Sequence, residues 1–119
     1  MTGVEFEDRM FVYFRNIGWK AEKTPVSGDY GADLILRNPE GKRIVAQLKR
    51  YAGQVGVDAV QEIAAAIPFY KADSGMLITN SHLTPNAQRL AKVHEIDIWE
   101  REDLMKQLMV ESSGKATRQ

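Results

Sequence analysis

The sequence predicts an α/β domain: a central mixed sheet with an antiparallel hairpin on one side, parallel crossovers on the other, and helices over its faces. Three observations point there. Two strand-like runs, "ADLILR" and "RIVAQLK", flank the turn signal "NPEG" and read as a hairpin. The short run "GMLITN" is nearly all apolar, as in a strand buried on both faces. Segments with helical apolar spacing alternate with the later strands, the pattern that parallel crossovers leave.

The elements follow in order. "EFEDRMFVYFRNIG" places Phe6, Met10, Tyr13 and Ile17 at helical spacing, with Gly18 as a stop. "WKAEKT" is a short strand, followed by a loop through "PVSGDYG" and then the hairpin. "VDAVQEIAAAIPFYKA" carries Val57, Val60, Ile63, Ala64 and Ile67, a helix that ends or kinks near Pro68. After "GMLITN", Thr84 is a natural N-cap and Pro85 a natural first helical residue. "IDIW" is a last strand and "REDLMKQLMV" a last helix, in which Met105 and Met109 read as core. The expected domain spans residues 1–110, and the polar segment 111–119 is expected to be a disordered tail.

Bulk properties narrow the function. At 119 residues, 44% hydrophobic and 27% charged, the chain reads as one ordinary globular domain. It has no cysteine, which excludes disulfides and thiolate metal sites and fits a reducing cytoplasm. Neither a signal peptide nor an apolar run of membrane-spanning length is visible. The two histidines, His82 and His94, have no partner at metal spacing, so a zinc site is rejected. Net charge is zero, which argues against coating nucleic acid by bulk attraction but permits a local basic surface around an acidic site.

The hairpin holds the chemistry. With "NPEG" as its turn, Asp33 lies opposite Ala46 or Gln47, and Gln47 and Lys49, two apart, share a face. A carboxylate, an amide and an ammonium therefore meet at the open end of the hairpin, beside the apolar "LIL" and "IVA" runs. Structure alone gives little reason for that grouping. A carboxylate and an amide oxygen are hard ligands suited to Mg²⁺. A metal there acidifies water and stabilises charge on phosphate, and a neighbouring lysine can orient the water and offset the same charge. The set suits phosphodiester hydrolysis.

"GVEFE", "GDYGADLIL", "VAQLKRY" and "GMLITNSHLTPNAQRLA", in that order, resemble the Mrr-like restriction endonuclease family of type IV restriction. That family belongs to the PD-(D/E)xK nucleases of restriction-endonuclease-like fold, and the resemblance runs from residue 3 to about residue 105. Its pattern is an acid on the first hairpin strand, then an acid or Gln, any residue, and Lys on the next; Asp33, Gln47 and Lys49 match. The resemblance implies a DNA endonuclease that depends on Mg²⁺, with Mn²⁺ as a substitute. It implies a metal held by Asp33, Gln47 and the Leu48 backbone carbonyl, with Lys49 acting in catalysis.

The family also carries a first-helix glutamate that reaches the metal. Glu5 shares a stripe with Arg9 and Asn16, and Glu7 shares one with Phe11 and Phe14, so Glu7 is favoured. The plain alternative is that both are surface acids favoured by the dipole of the first turn. Lys42, Arg43, Arg50 and Tyr51 are the candidate DNA contacts, although ordinary solvated charges and a rim aromatic would look the same. Asp29 can join the metal site or form the turn in "SGDYG". Gly28 and Gly31 read as loop geometry, with close phosphate approach as the lesser reading. His82 reads as a surface residue.

Two other functions remain open: a structure-selective nuclease similar to Holliday junction resolvases, and a non-catalytic DNA-binding module of the same fold. The expected partners are DNA, a second copy in a symmetric homodimer, and a separate recognition subunit.

Overall fold

The structure is a computed structural model and describes residues 2–25 and 31–113. Gly28, Asp29 and the last six residues of the expected tail lie outside the described residues. The elements are α1 (Gly3–Asn16), β1 (Lys20–Lys23), β2 (Leu34–Arg37), β3 (Arg43–Lys49), α2 (Val57–Phe69), β4 (Ser74–Thr79), α3 (Pro85–Val93), β5 (Asp97–Trp99) and α4 (Arg101–Ser112).

The five strands form one sheet in chain order, β1 to β5. The first three pair antiparallel and the last three parallel. This is the expected mixed sheet. Its two halves differ because the tight 38–41 turn returns the chain antiparallel, whereas α2 and α3 carry it back to the start of a parallel neighbour. In that turn the Gly41 amide donates to the Asn38 carbonyl at 2.8 Å.

Two cores sandwich the sheet. On one face Phe6, Met10, Tyr13 and Phe14 of α1 and Leu104 of α4 pack on Leu34, Leu36, Ala46, Met76 and Ile78. On the other, Val60, Ile63 and Ala66 of α2 and Ala87 and Ala91 of α3 pack on Val45 and Leu77. Burying each large side chain contributes about 2 kcal/mol of transfer free energy, before the entropy of ordering it. Because β4 is covered on both faces, it needs apolar side chains in both directions, which is why "GMLIT" does not alternate.

The capping signals act where the sequence puts them. Thr84 accepts a hydrogen bond from the Ala87 amide at 3.1 Å, with Pro85 opening α3. Pro68 lies in the last turn of α2, which ends one residue later. At α1, Thr2 and Glu5 form a reciprocal capping box, and the helix closes with Ile17 as cap and Gly18 beyond it.

Two expectations need correction. Met105 and Met109 are exposed, at 51% and 70%, rather than core. Leu104 and Leu108 have the same spacing one residue earlier, and they face the sheet instead. The last helix also runs past residue 110: Glu111 and Ser112 are helical, and Glu111 accepts from Arg9 and Asn16 of α1.

Candidate active site

The site grows from the open end of the hairpin. Leu34 pairs with Ala46 at the start of β2. The Asp33 amide donates to the carbonyl of the same Ala46 at 2.8 Å, so Asp33 and Leu34 are both set against Ala46 and the regular ladder gives way to a bulge there. Strand alternation does the rest. Leu34, Ala46 and Leu48 face the core under α1, so Gln47 and Lys49 project toward α2, where both reach Glu62.

Each side chain is held differently. Asp33 Oδ2 accepts from the Leu48 amide at 2.8 Å, a donor that β2 has ended too soon to satisfy. The N–H and C=O of one strand residue point to the same side, so the Leu48 carbonyl also faces the Asp33 edge. Gln47 is 5% exposed. Its Nε2 donates to Glu62 Oε1 of α2 at 2.8 Å, while its Oε1 is buried with no hydrogen-bond partner. Lys49 Nζ lies 3.8 Å from the same Glu62 oxygen, both side chains being about half exposed, so that ion pair is weak.

Charge crowds here. Burial, above all, raises the Asp33 pKa, and the Glu62 carboxylate raises it further. The Leu48 amide and the Lys49 ammonium offset part of this. Glu7 is raised too, first by burial and then by the nearby charge of Asp33. Of the two acids of α1, Glu7 is the one that feels the Asp33 charge, while Glu5 is engaged in the helix cap. Two neighbouring carboxylates that burial holds above their ordinary range are what a cation would relieve. Among the described residues no three His, Cys, Asp or Glu side chains gather to hold a metal, so any such set combines acids with amide and carbonyl oxygens.

The surroundings are the carboxyl ends of the parallel strands β3 to β5, where ligands of α/β sheets usually lie. Thr79 Oγ1 donates to the Lys49 carbonyl at 2.6 Å, and Asn80 Oδ1 accepts from the Tyr51 amide at 2.7 Å. These bonds tie the loop after β3 to the end of β4. Arg50 and Tyr51 are exposed at this rim. His82 is exposed and pairs with Glu102 of α4, as a surface residue would.

The expected basic patch is divided by the strand. Lys42 and Arg43 sit at the turn, and Arg43 is six residues from Lys49, about 20 Å along β3. Arg43 is also occupied, donating to the Tyr70 carbonyl at 3.1 Å. Of the candidate DNA-contacting cations Lys42, Arg43 and Arg50, only Arg50 lies beside Lys49 at the site's end of β3. Gly31 serves loop geometry, as expected. Its φ is +82°, and a Cβ there would lie 2.1 Å from the Glu62 carbonyl oxygen. The close approach it permits is to the backbone of α2.

Glu62, Thr79 and Asn80 were not anticipated from the sequence. Glu62 adjoins Ile63 at the edge of the α2 apolar stripe, and that adjacency is its only sequence signal.

A mixed sheet between two helical layers, with an acid and a Gln-x-Lys set at the open end of its hairpin, defines a domain of restriction-endonuclease fold. The chain belongs to the Mrr_cat family, described as restriction endonuclease, whose model matches residues 1–108. Among solved structures it is similar to a repair endonuclease from Pyrococcus abyssi (20% identity, TM-score 0.68, 84% of this chain and 46% of that one). It is also similar to the DNA modification-dependent restriction endonuclease AspBHI (20%, 0.69, 95% and 32%). A third is the MspJI restriction endonuclease in complex with a 27-mer oligonucleotide (17%, 0.64, 95% and 30%). At these identities the likeness is one of fold, and the chain spans less than half of each of those three. No curated protein matches it. No helix among the described residues is long and apolar enough to cross a membrane.

Proposed function

We propose that this domain is a divalent-metal-dependent DNA endonuclease in which Asp33, Gln47, the Leu48 carbonyl and Glu7 hold Mg²⁺ or Mn²⁺. The observation that carries the reading is the Gln47 amide oxygen, buried and without a partner on the strand that the half-buried Asp33 carboxylate bonds at Leu48. A buried polar atom left unsatisfied costs about 1–3 kcal/mol and calls for an explanation. A hard cation supplies one, since carboxylate, amide and carbonyl oxygens are its preferred donors. When bound, the cation would acidify water and place positive charge on the scissile phosphate.

The chain's own residues do the positioning. The Leu48 amide fixes the rotation of Asp33 so that its second oxygen stays available. Lys49, on the same face and half exposed, reaches the phosphate and orients the attacking water, and its charge counts most as charge builds in the transition state. Arg50 and Tyr51 border the site as contacts for the DNA backbone and a base. Lys42 and Arg43 could meet only a more distant stretch of the duplex. Because the net charge is zero, a second copy or a separate recognition subunit would add the rest of the DNA surface.

The test is incubation of the purified chain with plain, methylated and branched DNA, in Mg²⁺ and in excess EDTA. Metal-dependent cleavage of methylated DNA supports the restriction reading, and preference for branched DNA supports a structure-selective one. Cleavage that persists in EDTA refutes the mechanism.

A further inference from the structure

We propose that Glu62 is a positioning residue that makes Gln47 an oxygen ligand. The inference rests on the metal-site reading above and deepens it. A carboxylate at position 47 would need no orientation, because either oxygen can meet a cation. An amide has one oxygen and one NH₂ group of nearly the same shape, and rotating it by half a turn would aim two donors at the metal. Something must choose between the two.

The chemistry of Glu62 makes the choice. An ionised carboxylate accepts hydrogen bonds and cannot donate them. The 2.8 Å contact with Glu62 Oε1 therefore requires the Gln47 nitrogen, and the oxygen is turned the other way, into the buried position where it has no partner. Glu62 is itself anchored. Its backbone lies against Gly31, two residues before Asp33, so closely that even a Cβ would overlap its carbonyl. The helix turn bearing Glu62 and the loop bearing Asp33 are thus fixed together. The 3.8 Å approach to Lys49 adds a second, weaker contact to the same oxygen.

The experiment compares Mn²⁺ binding, by electron paramagnetic resonance titration of free Mn²⁺, in the full chain and its variants. Glu62→Ala is expected to weaken Mn²⁺ binding about 10-fold or more, the usual cost of losing a partner that orients a ligand. Glu62→Gln, whose amide oxygen can accept the same bond, is expected to stay within about threefold of wild type. Both variants should melt within about 2 °C of wild type, since the side chain is half exposed. Gln47→Glu should restore binding in the Glu62→Ala background, because a carboxylate needs no orienting partner. Unchanged binding in Glu62→Ala, or equal losses in Glu62→Ala and Glu62→Gln, would overturn the inference while leaving the metal site intact. A wild-type chain that binds no Mn²⁺ would overturn both.

Discussion

Gly31→Ala should damage this domain far more than a surface glycine replacement normally does. Two costs combine. An alanine at φ +82° meets the left-handed penalty, about 1–2 kcal/mol. Its Cβ would also lie 2.1 Å from the Glu62 carbonyl oxygen and 2.6 Å from the carbonyl carbon. Ordinary carbon–oxygen contacts begin near about 3.3 Å, so the loop or α2 must retreat by roughly 1.2 Å. Forcing such an overlap into a packed interior costs about 1–3 kcal/mol. The total is about 2–5 kcal/mol, a large share of the roughly 5–15 kcal/mol that holds a domain together. For a domain of this size that is a loss of about 10–20 °C in melting temperature by calorimetry or circular dichroism. Gly41→Ala is the matched control: φ is +85°, but a Cβ there meets nothing within 4 Å, so only the backbone penalty applies. Gly31→Ala and Gly41→Ala melting within about 2 °C of each other would refute the close packing of α2 on the Asp33 loop.

Other outcomes follow from the same geometry. Lys49→Ala should lower the cleavage rate by about two orders of magnitude or more with little change in DNA affinity; a parallel loss of both would make Lys49 a simple phosphate contact. Asp33→Asn should abolish Mn²⁺ binding yet stabilise the fold at neutral pH by about 0.5–2 kcal/mol, read from denaturant midpoints. The sign follows from the raised folded pKa: the native state prefers the protonated acid, so wild-type stability rises as pH falls through that pKa, and the neutral amide, still able to accept from Leu48, gains this advantage at pH 7. A destabilised variant would make Asp33 a structural residue. Glu111 behaves oppositely, since hydrogen bonds from Arg9 and then Asn16 hold its pKa below the ordinary value. Its contribution is present above the unfolded carboxylate pKa and is lost as pH falls through the folded one. Glu111→Gln should therefore cost up to about 1 kcal/mol at pH 7, with the gap to wild type closing in acid; a gap that does not change with pH would refute the ion pair's role.

The hairpin was legible because its information is local. A turn signal and period-two alternation suffice to bring Asp33 to the open end of the hairpin and to put Gln47 and Lys49 on one face, and the structure sets the Asp33 amide against Ala46. The Thr84 cap and the Pro68 stop were local in the same sense. Glu62 was not legible, because only the β3–α2 crossover and the packing of Gly31 bring it over the hairpin. Leu104 with Leu108 and Met105 with Met109 carry the same four-residue spacing, and only the direction from which α4 approaches the sheet separates them. Lys42 and Arg43 were visible as charges, but seven residues of extended strand carry them away from the site that their position in the sequence suggested.

The central claim is that Asp33 and Gln47 share a cation, and anomalous diffraction from crystals soaked in Mn²⁺ tests it most directly. One peak per chain is expected within about 2.0–2.4 Å of an Asp33 carboxylate oxygen and of Gln47 Oε1, with Gln47 Nε2 still on Glu62. No peak at Asp33, or a Gln47 amide that turns its nitrogen toward it, would contradict the account.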